Sequence, residues 1–142
     1  MSPKRIDITE SVEAWNIPVA GQQITRVCAD YASVSLLASN GIYMNIEVPF
    51  TYLSPNGTES TLDPDGDALD LADVLRLRRL GATECLAFKD GRLEVKFEDG
   101  AQLKVPMDLE FEAWGISGPG GADGLKIVSM PGGELAIWRD RR

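Results

Sequence analysis

The sequence predicts an α+β domain, mostly antiparallel β-sheet of about eight or more strands, with one principal helix near 68–80. The first observation behind this is the stretch KDGRLEVKFEDGAQLKV at 89–105, where apolar and charged residues alternate between two Asp-Gly turns. A period of two places one face of a strand in a core and the other in solvent. The second is the density of Gly, Pro and Asn-Gly signals, which cut the chain into short pieces. The third is the run at residues 68–80, which a capping Asp67 opens and Gly81 closes.

Taken in order, residues 1–20 read as an irregular N-terminal arm docked by Trp15 and Ile17. Val34, Leu36 and Ala38, the turn Ser39-Asn40-Gly41, then Ile42, Met44, Ile46 and Val48 form a hairpin. Pro55-Asn56-Gly57 is a turn before a short strand from Thr58 to Leu62. Asp63-Pro64-Asp65-Gly66 breaks the chain, and Asp67 is placed to cap a helix from Ala68 to Leu80 that stops at Gly81. The apolar positions of that helix cover more than one face, which implies burial on two sides or a partner.

Residues 84–105 read as a three-stranded meander. Face parity requires a three-residue loop at Glu98-Asp99-Gly100, which pairs Phe97 with Ala101 and Val95 with Leu103, with Gly100 left-handed. A two-residue loop at Asp90-Gly91 would pair Phe88 with Leu93 and Leu86 with Val95. The hairpin upstream repeats this grammar at an offset of 59 residues, which suggests a duplicated β-meander. Strands follow at Phe111–Ser117, Leu125–Met130 and Glu134–Trp138, and a short basic tail closes the chain at 139–142. No linker interrupts residues 1–142, so a single domain is expected.

Composition excludes several chemistries. The chain has 142 residues, no histidine and two cysteines, so it cannot build a Ser-His-Asp or Cys-His site or a structural zinc site. No cofactor and no enzymatic activity are expected. A net charge of −8 repels phosphate backbones and favours a basic protein partner over nucleic acid. No apolar run is long enough to cross a bilayer or to serve as a secretory signal, so a cytoplasmic protein is expected, with no membrane partner. Homo-oligomerisation is left open.

Candidate partner-binding residues are Glu59, Asp63, Asp65, Asp67, Asp70 and Asp73, because residues 59–73 hold six acids and no base. Their spacing fails the EF-hand pattern, since the sixth and twelfth positions from Asp63 hold Ala68 and Val74. The run GISGPGGADG at 115–124 opens onto a strand rather than a helix, so it reads as a hairpin loop and not a phosphate loop. Trp114 and Trp138 are candidates for an alternative ligand-stacking site on a sheet face.

A set of landmarks carries a family resemblance: Asp30-Tyr31, Pro49-Phe50, Thr61-Leu62-Asp63-Pro64, Leu80-Gly81, Asp99-Gly100, Glu112-Ala113-Trp114, Gly118-Pro119 and the closing PGGELAIW at 131–138. In that order they resemble a family of small actinobacterial proteins of unknown function, over roughly residues 20–138. The resemblance implies no activity and no catalytic residues. In size, acidity and lack of histidine the chain is also similar in type to immunity proteins that neutralise toxins. The expected function is a non-enzymatic, acidic protein-binding module of the immunity or inhibitor type. The alternative is a small-ligand-binding or sensor domain.

Overall fold

The computed structural model describes residues 7–119 and 124–139. In chain order its strands are β1 (Thr9–Glu10), β2 (Ala14–Asn16), β3 (Ile24–Asp30), β4 (Ser33–Ala38), β5 (Tyr43–Ile46), β6 (Phe50–Leu53) and β7 (Glu59–Leu62). After a 3-10 helix (Ala68–Leu77) come β8 (Ala82–Phe88), β9 (Leu93–Phe97), β10 (Gln102–Val105), β11 (Trp114–Ser117), β12 (Lys126–Ser129) and β13 (Leu135–Trp138). All pairings are antiparallel, in two sheets: sheet I runs β1-β2-β8-β9-β10-β6-β7, and sheet II runs β13-β12-β11-β5-β4-β3. The apolar faces of both sheets contribute to one continuous core, with Leu36, Met44, Leu93, Leu103 and Ile116 among its fully buried side chains.

The chain folds the same way twice. Meanders β3-β4-β5 and β8-β9-β10 are each followed by a hairpin, β6-β7 or β11-β12, that crosses to the other sheet and pairs with the other meander's last strand. Leu36 faces Met44 as Val95 faces Leu103, and Val34 faces Ile46 as Leu93 faces Val105. Each first strand is interrupted once, between Ile24 and Arg26 and between Ala82 and Glu84. A bulge at the same place in two strands is a designed feature of the backbone rather than an accident.

Where the copies meet, the backbone hydrogen bonds are reciprocal. Ile24 N–H donates to the Leu80 carbonyl and Ala82 N–H to that of Gln22; Arg79 N–H donates to Ile24 and Gly21 N–H to Ala82. Gln23 and Gly81 form the bridge between them. Ile24 and Ala82, Gln22 and Leu80, and Gly21 and Arg79 all stand 58 positions apart. An approximate two-fold axis therefore passes through the Gln23–Gly81 bridge. The repeat foreseen for one hairpin covers most of the molecule.

The loop at Glu98-Asp99-Gly100 has the foreseen form: Phe97 N–H donates to Ala101 O, and Gly100 has φ +94°. The loop before it does not. Phe88 N–H donates to Arg92 O, so Lys89-Asp90-Gly91 is also a three-residue loop, and Ala87 faces Leu93 while Cys85 faces Val95. Cys85 and Ala87 are buried, and Leu86 and Phe88 lie on the outer face, half-buried. The sequence from 85 to 88 is apolar at both parities, so it does not set its own register; the turn does.

Two further expectations are corrected. Of the arm expected over 1–20, residues 1–6 lie outside the described residues, and the stretch from Thr9 to Asn16 is not irregular: β2 pairs with β8, Trp15 opposite Ala87, and β1 pairs with β2. The Lys89 ammonium and the Arg139 guanidinium lie 5.9 and 4.8 Å from the Trp15 ring centroid, so the β2–β8 side of sheet I meets the residue that follows β13 of sheet II. Residues 140–142 of the basic tail lie outside the described residues. The helix is of the 3-10 type and ends at Leu77, because Arg78 is extended and Arg79 turns to φ +80° to pair with Ile24. The strand expected from Phe111 begins only at Trp114.

Candidate functional site

The segment 59–77 starts on the edge strand β7 and ends on the 3-10 helix. Glu59 is the first residue of β7, opposite Leu53 of β6, and its side chain is exposed. Asp63 accepts a hydrogen bond from Asp65 N–H at 2.9 Å and so shapes the turn. Asp67 caps the helix by accepting from Leu69 N–H at 2.9 Å, as its position predicts. Asp70 lies in the first turn, where a negative charge suits the helix dipole. Asp73 pairs with Arg76 at 3.5 Å across exposed side chains, a contact that contributes little stability.

The 3-10 geometry explains the apolar overflow noted in the sequence. With three residues per turn, side chains at i and i+3 eclipse and form straight rows. Leu71, Val74 and Leu77 make one row, all buried in the core. Leu69, Ala72 and Leu75 make a second row, which faces solvent: Leu69 is 81% and Leu75 57% exposed. Asp70, Asp73 and Arg76 make the third. An exposed leucine row therefore stands directly beside carboxylates. A regular α-helix would smear these rows, which is why the sequence pattern alone could not separate them.

Behind the helix lies Tyr52 of β6, buried in the core. Burial raises the pKa of its phenol, and the nearby Asp99 and Asp73 carboxylates raise it further against a smaller opposing effect of Arg76. Among the described residues no three His, Cys, Asp or Glu side chains gather closely enough to hold a metal ion. The six acids shape turns and face water.

The two tryptophans do not form a site together. Trp114 pairs with Ile46 and points into the core at 1% exposure, its indole N–H donating to the Gly91 carbonyl at 2.8 Å. Trp138 ends β13 on the opposite face of the same sheet and is 53% exposed, with Lys126 5.8 Å from its ring. A side-chain period of two separates them. Leu109 and Phe111, exposed on the loop before β11, were not singled out by sequence reasoning. Phe111 lies in a loop where the sequence pattern predicts a strand.

Fold and surface thus define a duplicated two-sheet β protein with an acidic and apolar helix face. The chain belongs to DUF6188, a family of unknown function, whose model matches residues 15–139. No curated protein and no solved structure matches it. The family description names no activity. Among the described residues, no helix is long and apolar enough to cross a membrane.

Proposed function

We propose that this chain is a non-enzymatic binding module for a basic protein, of the immunity or inhibitor type, acting through the face that runs from Glu59 to Arg76. The observation that carries this reading is the exposed Leu69-Ala72-Leu75 row lying against Asp70 and Asp73, downstream of Asp63, Asp65 and Asp67. Carboxylates of one sign steer a cationic partner into encounter, and desolvated leucines hold the complex once formed. Single exposed leucines are ordinary on a protein surface; a row of them beside Asp70 and Asp73 and next to the acidic turn at Asp63–Asp67 is not.

The two halves of the face should separate kinetically. Changing Asp65, Asp67, Asp70 and Asp73 to Asn leaves the cap intact, because Asn caps a helix as well as Asp. That variant is expected to associate about tenfold more slowly and with a flatter salt dependence. Changing Leu69 and Leu75 to Ser is expected to raise the dissociation rate and leave association nearly unchanged. The partner is captured from native cell extract on the wild-type chain, and its kinetics are then read on both variants at two ionic strengths. Unchanged rates and salt slope in both variants would mean that the face only solubilises the protein.

A further inference from the structure

The two-fold relation between the copies makes the outer faces of the two sheets comparable residue by residue. On sheet I the outer face carries a charged ladder: Glu84 and Lys96 pair at 3.4 Å, Glu94 and Lys104 face each other, and Glu59 stands on the neighbouring hairpin. The corresponding positions on sheet II hold Arg26, Leu37, Ser35, Asn45 and Lys126. Charge at the centre of the face has been replaced by small or uncharged side chains. The central row across sheet II reads Cys28, Ser35, Asn45, Gly115, Val128 and Ala136. Ser35 and Val128 are buried although they point away from the core, so this row forms a floor below its neighbours. Tyr43 and Trp138 rise beside it, both exposed, in the row that also holds Lys126.

Charge on this face is sorted along the strands. Arg26 and Lys126 lie at one end of it. Asp30, Glu47 and Glu134, all exposed and on the same face by strand alternation, lie at the other. Such a layout is complementary to itself when reversed.

We propose that the outer face of sheet II docks a second copy of this chain, face to face, about a two-fold axis running across the strands. That rotation reverses strand direction, so Arg26 and Lys126 of each copy meet Asp30, Glu47 and Glu134 of the other, while the small central row lies against itself. Like-facing sheets pack within about 30° of alignment, which keeps these long side chains in reach. The face lies on β3 to β5 and β11 to β13, and the 3-10 helix, which packs beside β3, contributes none of its residues. Six short strands sit at the small end of specific interfaces, about 1,200 Å² in total, so the dimer is weak and reversible.

The test is sedimentation of the intact chain from about 10 μM to about 1 mM, the range over which a weak dimer forms. Physiological ionic strength is used, where a Debye length of ~8 Å screens the mutual repulsion of two acidic chains. Wild type is expected to rise from 15.4 kDa towards twice that mass. Arg26→Glu with Lys126→Glu should weaken the dimer by at least about tenfold, since each copy then presents acid to acid. Adding Asp30→Arg and Glu134→Lys to that variant should restore it. A wild-type chain that stays monomeric throughout overturns the proposal. So does a dimer indifferent to the reversal, or one lost without rescue by the compensating pair.

Discussion

The two copies of the fold treat one equivalent turn in opposite ways. In the second copy, the tip of the β8–β9 loop is locked: the Trp114 indole and the Ser129 hydroxyl both donate to the Gly91 carbonyl, at 2.8 and 2.9 Å. Gly91 also packs so closely on Gly133 that an added Cβ would lie 2.5 Å from the Gly133 Cα. In the first copy the equivalents of Trp114 and Ser129 are Phe50 and Leu62, which have no donors to offer. The equivalent loop tip carries Tyr31, 92% exposed, and the equivalent of the Met130–Gly133 turn is Asp63-Pro64-Asp65-Gly66, the acidic entry to the 3-10 helix. One copy thus fixes the framework, while the equivalent turn of the other is released to the surface. The proposed partner face starts on that released copy.

The largest effect that would break this contrast is expected at Gly133. A Cβ there would sit 2.3 Å from the Asp90 carbonyl oxygen, on a residue at φ +98°. Gly133→Ala should destabilise by roughly 3 kcal/mol or more, read by denaturant unfolding. Its counterpart Gly66 does not have the positive φ, and its nearest neighbour would be Asp63 O at 3.2 Å. Gly66→Ala should cost under about 1 kcal/mol. Equal losses at the two sites would mean that the turns are equally constrained.

Next come the donors to Gly91. Ser129→Ala should cost about 1 kcal/mol, because the carbonyl keeps the Trp114 bond. Trp114→Phe with Ser129→Ala should cost more than the sum of the single changes, since a buried carbonyl is then left unpaired. Strict additivity in a double-mutant cycle would remove the shared anchor from the account.

A change of the opposite sign is expected at the axis. Arg79 and Gly21 hold equivalent places, both at φ +80°, where a side chain is strained and glycine is not. Arg79→Gly should stabilise the chain by about 1 kcal/mol, and Gly21→Ala should destabilise it by a similar amount. Thermal unfolding of the pair reads both signs.

The smallest effect concerns Tyr52. Its raised pKa means that the folded state holds the phenolic proton more tightly than the unfolded chain does. This stabilisation is fully present below the ordinary value of 10.0 and is lost as pH rises through the folded value. Stability measured upward from about pH 9 should therefore fall less steeply in Tyr52→Phe than in wild type. Parallel curves would place no titrating phenol behind the helix.

Legibility in the sequence followed how sharply each residue pattern excluded its alternatives. Val95 and Phe97 between charged neighbours admitted one register, and the Gly100 loop follows from it. Residues Cys85 to Phe88 admitted two, and only the turn geometry chose. Leucines at 69, 71, 75 and 77 with Val74 look scattered at 3.6 residues per turn and fall into rows only at three. The acidic run was legible as composition, whereas the leucine row beside it was legible only once the 3-10 pitch was known. The pairing of Trp114 with Trp138 failed because one faces the core and the other solvent.

The contrast between a framework copy and a released copy is tested most directly by amide hydrogen exchange across the whole chain, alone and with the captured partner. Without partner, Gly91 and Gly133, whose amides donate to Phe88 and Met130 in a buried turn, should exchange far more slowly than half-buried Ala32 and than Gly66, whose amide makes the same turn bond to Asp63 but is exposed. With partner bound, new protection should appear from Asp63 to Leu77 and not between Asp90 and Gly133. Equal exchange at the paired turns, with protection falling on the second copy, would contradict the account.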